Sequence, residues 1–163
     1  MKYDLIIKNE NLGKPFWIIM GIITFIILGF FVKLSAEPKG LPYDKGLYGF
    51  KLSDGFYAKR GNGIHGSWDI MIPTNTPIFS NIIGKAKVKK SATNEKAGAF
   101  VELVQGDYEV TYCHLSEPRV LTGWEVDFGA PLGYSGATGE ATGPHLHYQI
   151  RHKGKLVNPQ NYI

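Results

Sequence analysis

Cysteine is nearly missing from this chain of 163 residues, and Cys113 is the single one. No intramolecular disulfide can form, and cysteine pairing says nothing about redox compartment. A concentrated excess of charge is missing too. The formal net charge is +4, but Lys2, Lys8, Lys14 and Lys33 lie in or beside the N-terminal segment. Residues 35–163 hold 14 Lys+Arg against 12 Asp+Glu, which is not the basic face that a nucleic-acid partner requires. The one local cluster, Lys85, Lys87, Lys89 and Lys90, has a period of two. It reads as the solvated face of a strand, with protection of a sheet edge as a second use. After residue 40 there is neither sustained helical periodicity nor a repeat. The length leaves room for one ordinary domain and a short appendage, not for a second core.

What is present points to a folded, turn-rich β protein. Hydrophobic residues make up 44% of the chain and charged residues 20%, with 20 Gly and 9 Pro to break it into short elements. The runs KAKVKK, AFVELVQ, YEVTYCHL and HLHYQIRH suit strands separated by glycine-containing turns. The expectation is a mainly β, antiparallel domain with little helix.

Between Lys14 and Lys33 the run from Pro15 to Val32 carries no charge. With Leu34 it approaches the roughly 20 apolar residues that cross a bilayer as a helix. A core helix would show a polar stripe, and only Thr24 is polar here. A cleaved signal peptide has Ala36 as a cleavage position. The run is nevertheless longer than the usual apolar core of about 7 to 15 residues, and Leu34 is large where a small residue is wanted. The reading is therefore a cytoplasmic N-terminus over 1–14, a retained transmembrane anchor over 15–34, a Pro/Gly-rich linker and ordering arm over 35–59, and a domain over 60–163. Lysines flank both ends of the span, so charge does not orient it.

Four of the five histidines stand in settings that look arranged. His145 and His147 are two apart on an expected strand, so both project from one face with Cα atoms about 7 Å apart. One can bind a metal while its neighbour faces a substrate. His152 has the opposite parity and reads as a surface residue. His65 and Asp69 are four apart in GNGIHGSWDIMIP, where Gly61, Gly63 and Gly66 argue against a helix. Extended backbone would separate them by about 13 Å, so the chain must bend, at Gly66 and Ser67, for them to share an ion. Two imidazoles and one carboxylate form the set that leaves a catalytic zinc one open position, whereas calcium or magnesium prefers oxygen ligands. In YEVTYCHL, Cys113 and His114 alternate. That sends their side chains to opposite faces, so a thiol peptidase pairing is unfavourable and Cys113 reads as a small buried residue.

The blocks HGSWDI, PTNTPIF, YCHLSE, GYSGATGEATGPHLHYQI and VNPQNYI, in that order over roughly residues 60–163, resemble the lysostaphin-like (LytM-type) zinc endopeptidases of bacterial cell walls. The resemblance implies zinc held by His65, Asp69 and His147, with His114 and His145 as catalytic histidines that do not bind the metal. It also implies a small antiparallel β-sheet domain with the metal in a groove between loops, a peptidoglycan peptide as substrate, and a domain on the outer side of the cytoplasmic membrane. Two departures stand out. Gly66 comes one place early in the family's H-x-G-x-D pattern, and Asn75 replaces a frequent Gly, a position where Asn can also adopt a left-handed backbone. Some members of this family are inactive and bind peptidoglycan or activate another hydrolase, and a wall-opening part of an envelope-spanning machine is a further alternative.

Overall fold

The computed structural model describes residues 37–89 and 96–163. The expected span over 15–34 lies outside the described residues, and no helix among those described is long and apolar enough to cross a membrane. The chain is built from short strands: β1 (Leu52–Asp54), β2 (Lys59–Arg60), β3 (Gly63–Ile64), β4 (Trp68–Ile70), β5 (Pro77–Phe79), β6 (Gly84–Lys89) and β7 (Ala99–Gln105). There follow β8 (Tyr108–Leu115), β9 (Glu117–Pro118), β10 (Glu125–Val126), β11 (Pro131–Tyr134), β12 (Leu146–His152) and β13 (Lys155–Val157). Among the described residues helix is confined to α1 (Lys45–Tyr48), capped by the Asp44 carboxylate, and a 3-10 turn over Pro159–Tyr162.

The main sheet runs β1-β4-β12-β8-β7-β6-β10, with β13 also on β12, and a smaller sheet runs β5-β11-β9. All pairings are antiparallel. Alternation decides the faces of the main sheet. Val101, Leu103, Val110, Tyr112, Tyr148 and Ile150 are fully buried on one side, and each apolar side chain removed from water contributes about 1.5 to 3 kcal/mol. On β6, Ala86 is buried while Lys85 and Lys87 are exposed, the solvated face that the period of two indicated.

Residues 37–59, which read as a linker and ordering arm, carry α1, β1 and the start of the β2-β3 ribbon, and they bury Tyr43 and Phe56 in the core. A polar knot holds the arm down. Asn81 donates to the Tyr148 hydroxyl (2.6 Å) and to the Gly40 carbonyl (2.8 Å), while the Tyr112 hydroxyl donates to Asn81 Oδ1 (2.5 Å). The Lys39 amide adds a bond to the Asn81 carbonyl at 2.8 Å.

Candidate active site

His65 leaves the β2-β3 ribbon just before the chain turns into β4. The bend falls where the glycine placed it, since Gly66 has φ +74° and an alanine Cβ there would meet Leu156 at 2.5 Å. The His65 amide donates to the Ala58 carbonyl (2.7 Å) and the Gly66 amide to the Phe56 carbonyl (2.9 Å), which fixes the turn. On the ring, Nδ1–H donates to the Gly55 carbonyl at 3.3 Å, which leaves Nε2 turned to Asp69 Oδ1 at 3.3 Å. Asp69 on β4 and His147 on β12 are register partners, so their side chains share a face, and His147 Nδ1 stands 2.8 Å from Asp69 Oδ1. One ligand atom each from His65, Asp69 and His147 lie within 4.8 Å of one another. Two imidazole nitrogens and a carboxylate oxygen at that spacing fit a zinc ion.

His114 and His145 stand beside this trio. Their rings are 4.5 Å apart, and the His114 ring is 5.8 Å from that of His147. His145 precedes β12 in an isolated bridge to Gly136. Its Nδ1–H donates to the Gly143 carbonyl (2.8 Å), and its Nε2 lies 3.8 Å from Asp69 Oδ1, outside the close trio. His114 Nδ1–H donates to the Thr138 carbonyl at 2.8 Å. In both rings a backbone acceptor fixes the tautomer and leaves Nε2 free to take a proton.

The alternation expected at Cys113 and His114 does not hold. Between Ala99↔Leu115 and Val101↔Tyr112, β8 advances three residues while β7 advances two, so β8 carries a bulge. His114 occupies it at φ +61°, a left-handed conformation costing a non-glycine residue about 1 to 2 kcal/mol. Cys113 and His114 consequently border the same groove. The thiol reading still fails, because burial pushes the Cys113 pKa up to about 12 and keeps the nucleophilic thiolate from forming. His152, expected at the surface, is half-buried and stacks on Tyr108 at 4.3 Å.

Burial is also the main influence on two of the histidines. It lowers the pKa of His65 and His114, against the pull of Asp69 in the first and of the Thr138 carbonyl in the second. Burial alone would raise Asp69, but the hydrogen bond from His147 and the surrounding imidazoles outweigh it and bring the carboxyl below its usual value. Asp69 is therefore ionised at neutral pH and His65 is biased toward its neutral form, the states a metal requires of such ligands.

Two supporting groups escape a reading of the sequence. Arg60 bridges Asp54 and Asp69 Oδ2, the latter at 3.3 Å. Thr138 accepts from the Ala99 amide (2.9 Å) and donates to the Leu115 carbonyl (2.8 Å) through its hydroxyl, while its own carbonyl holds His114. Only the block GATGEATGPH hinted at Thr138, and nothing in the sequence marked Arg60. The second departure from the family pattern is explained by the backbone, for Asn75 adopts φ +65°.

The model of peptidase family M23 matches residues 63–159. The chain belongs to peptidase family M23. The lysostaphin-like resemblance read from the sequence is thus borne out. Peptidoglycan DD-endopeptidase ShyA of Vibrio cholerae is 37% identical over 95 residues, which cover 58% of this M23 chain and 22% of ShyA. The curated relatives it matches are longer proteins, of which it spans less than two thirds. Among solved structures, a zinc-containing peptidase from Vibrio cholerae aligns with a TM-score of 0.64 at 28% identity, covering 74% of this chain and 38% of that one. Lysostaphin from Staphylococcus simulans aligns with a TM-score of 0.63 at 26% identity, covering 78% and 53%.

Proposed function

We propose that this M23 protein is a zinc-dependent endopeptidase that hydrolyses peptide bonds in the stem peptides or cross-links of bacterial peptidoglycan. The observation that carries this reading is the convergence of His65, Asp69 and His147 ligand atoms within 4.8 Å, with two further imidazoles beside them. The M23 membership and the relatives named peptidoglycan DD-endopeptidases support the same substrate class.

His65 Nε2, an Asp69 oxygen and His147 Nδ1 would hold the ion, the last after giving up the proton it shares with Asp69 in the metal-free site. Zinc there would supply Lewis acidity toward a water and a peptide carbonyl. His114 and His145 act through the Nε2 atoms that their backbone hydrogen bonds leave unprotonated. One takes the proton of the attacking water and delivers it to the leaving amine, and the other, once protonated, donates to the oxygen on which negative charge develops. The bulge and the Thr138 and Gly143 carbonyls hold both rings before substrate arrives, so little reorganisation is needed. All five positions being filled argues against an inactive, binding-only relative.

The apolar run over 15–34 is the membrane anchor in this reading, with residues 1–14 cytoplasmic. The catalytic domain then faces the wall across the arm that begins at residue 35. Digestion of cross-linked peptidoglycan with the purified chain, followed by mass spectrometry of the released fragments, tests the function. Fragments ending at a stem-peptide or cross-link bond, abolished by a zinc chelator and restored by zinc, are expected. Intact peptidoglycan bound by a zinc-loaded protein would instead favour a binding role.

A further inference from the structure

The groove beside His114 and His147 continues past the histidines. Its volume is about 370 Å³. On β12, His147, Gln149 and Arg151 alternate and share a face, and all three line the groove. Across the sheet Thr111 stands opposite Gln149, and Glu102 opposite Thr111, so these polar groups form its floor. The charged groups on this floor differ in how they are held. Glu102 is paired with Lys87 at 2.8 Å. Arg151 has no carboxylate within ion-pair distance among the described residues; its guanidinium donates only to the Gly154 carbonyl, at 3.3 Å. Glu109 is its register partner, yet no ion pair joins them, and it is Arg151 that borders the groove.

We propose that Arg151 binds a carboxylate of the substrate peptide and makes this chain selective for an acidic group near the bond it cuts. The proposal rests on the endopeptidase reading above and adds to it the charge of the substrate. Arg151 lies four residues beyond His147 on one strand, about 13 Å along the floor at roughly 3.3 Å per residue. An extended peptide advances at the same rate, so the recognised carboxylate belongs within about four residues of the scissile bond. The planar guanidinium fork can grip a carboxylate through two parallel hydrogen bonds, which a lysine in its place could not do. Gln149 and Thr111, between Arg151 and His147, offer neutral donors and acceptors to the peptide backbone on its way to the metal trio.

The test uses the full-length zinc-loaded chain in detergent and two cross-linked stem peptides, identical except that one carboxyl group beside the scissile bond is free in one and amidated in the other. The wild-type protein is expected to favour the free acid by about 10- to 100-fold in kcat/KM, the range of a charge-assisted hydrogen bond partly open to water. Arg151→Gln should bring kcat/KM for the free acid down to that for the amidated peptide, and Arg151→Lys should keep a reduced preference. Isothermal titration of the same pair into the metal-free protein reads affinity without turnover, so a failure of catalysis is distinguishable from a failure of Arg151. A preference for the acid that survives Arg151→Gln, or its absence from both kcat/KM and affinity in the wild-type protein, overturns the proposal. So does a loss of thermal stability in Arg151→Gln with acid selectivity intact, which would leave Arg151 only a clasp on the β12-β13 turn.

Discussion

His114 combines a left-handed backbone, a buried ring and a backbone acceptor, and each has a measurable consequence. Burial holds its pKa below the ordinary 6.5, and His65 is shifted in the same direction for the same first cause. A histidine whose folded pKa is depressed adds stability above its unfolded pKa and loses that contribution as pH falls through the folded value. The metal-free protein is therefore expected to lose unfolding free energy progressively below pH 6.5. Urea unfolding at a series of pH values reads this, and His114→Gln should flatten part of the slope. Thr138 gives a second prediction. Thr138→Val keeps the carbonyl that holds His114 but removes the hydroxyl tying the loop to Ala99 and Leu115. About a tenfold drop in kcat with unchanged zinc content is expected, since one misplaced hydrogen bond on a catalytic ring is worth about 1 kcal/mol or more.

At the scale of elements, the arm and the sheet meet through Asn81. Replacing it by Ala strands the Tyr112 and Tyr148 hydroxyls in the core and frees the Gly40 carbonyl. The expected cost is about 2 to 4 kcal/mol in denaturant unfolding. Faster amide exchange at Lys39 should accompany it, because the side-chain bond to Gly40 that holds the arm beside the residue 81 backbone carbonyl is lost. The sequence made much of this level legible. Strands β6, β7, β8 and β12 follow the runs read from alternation, and the bend between His65 and Asp69 falls at Gly66. What alternation could not show was the bulge in β8, because an extra residue reverses parity without changing composition. The same limit hid Thr138 and Arg60, whose roles depend on loops that come together only in the folded chain. Sequence parity put His145 and His147 on one face, but the distances that separate them, 3.8 Å against 2.8 Å to Asp69 Oδ1, arise from register.

For the whole molecule, the proposed substrate lies outside the cytoplasmic membrane, and the proposed function therefore predicts the domain after Lys33 on that side. Protease added to intact spheroplasts should degrade the C-terminal domain, and its protection until lysis would remove peptidoglycan as the substrate. The proposed site divides its labour: His65, Asp69 and His147 would hold zinc, while His114 and His145 would move protons and steady charge. Zinc content and peptide release from cross-linked peptidoglycan, measured on the same preparations of His147→Ala, His145→Ala and His114→Ala, test it most directly. His147→Ala should lose both zinc and activity, because two remaining protein ligands are too few for a stable site. His145→Ala and His114→Ala should keep about one zinc per chain and lose release by about 10² to 10⁴-fold. Zinc retained in His147→Ala, zinc lost from His145→Ala, or full activity in His114→Ala would contradict the account.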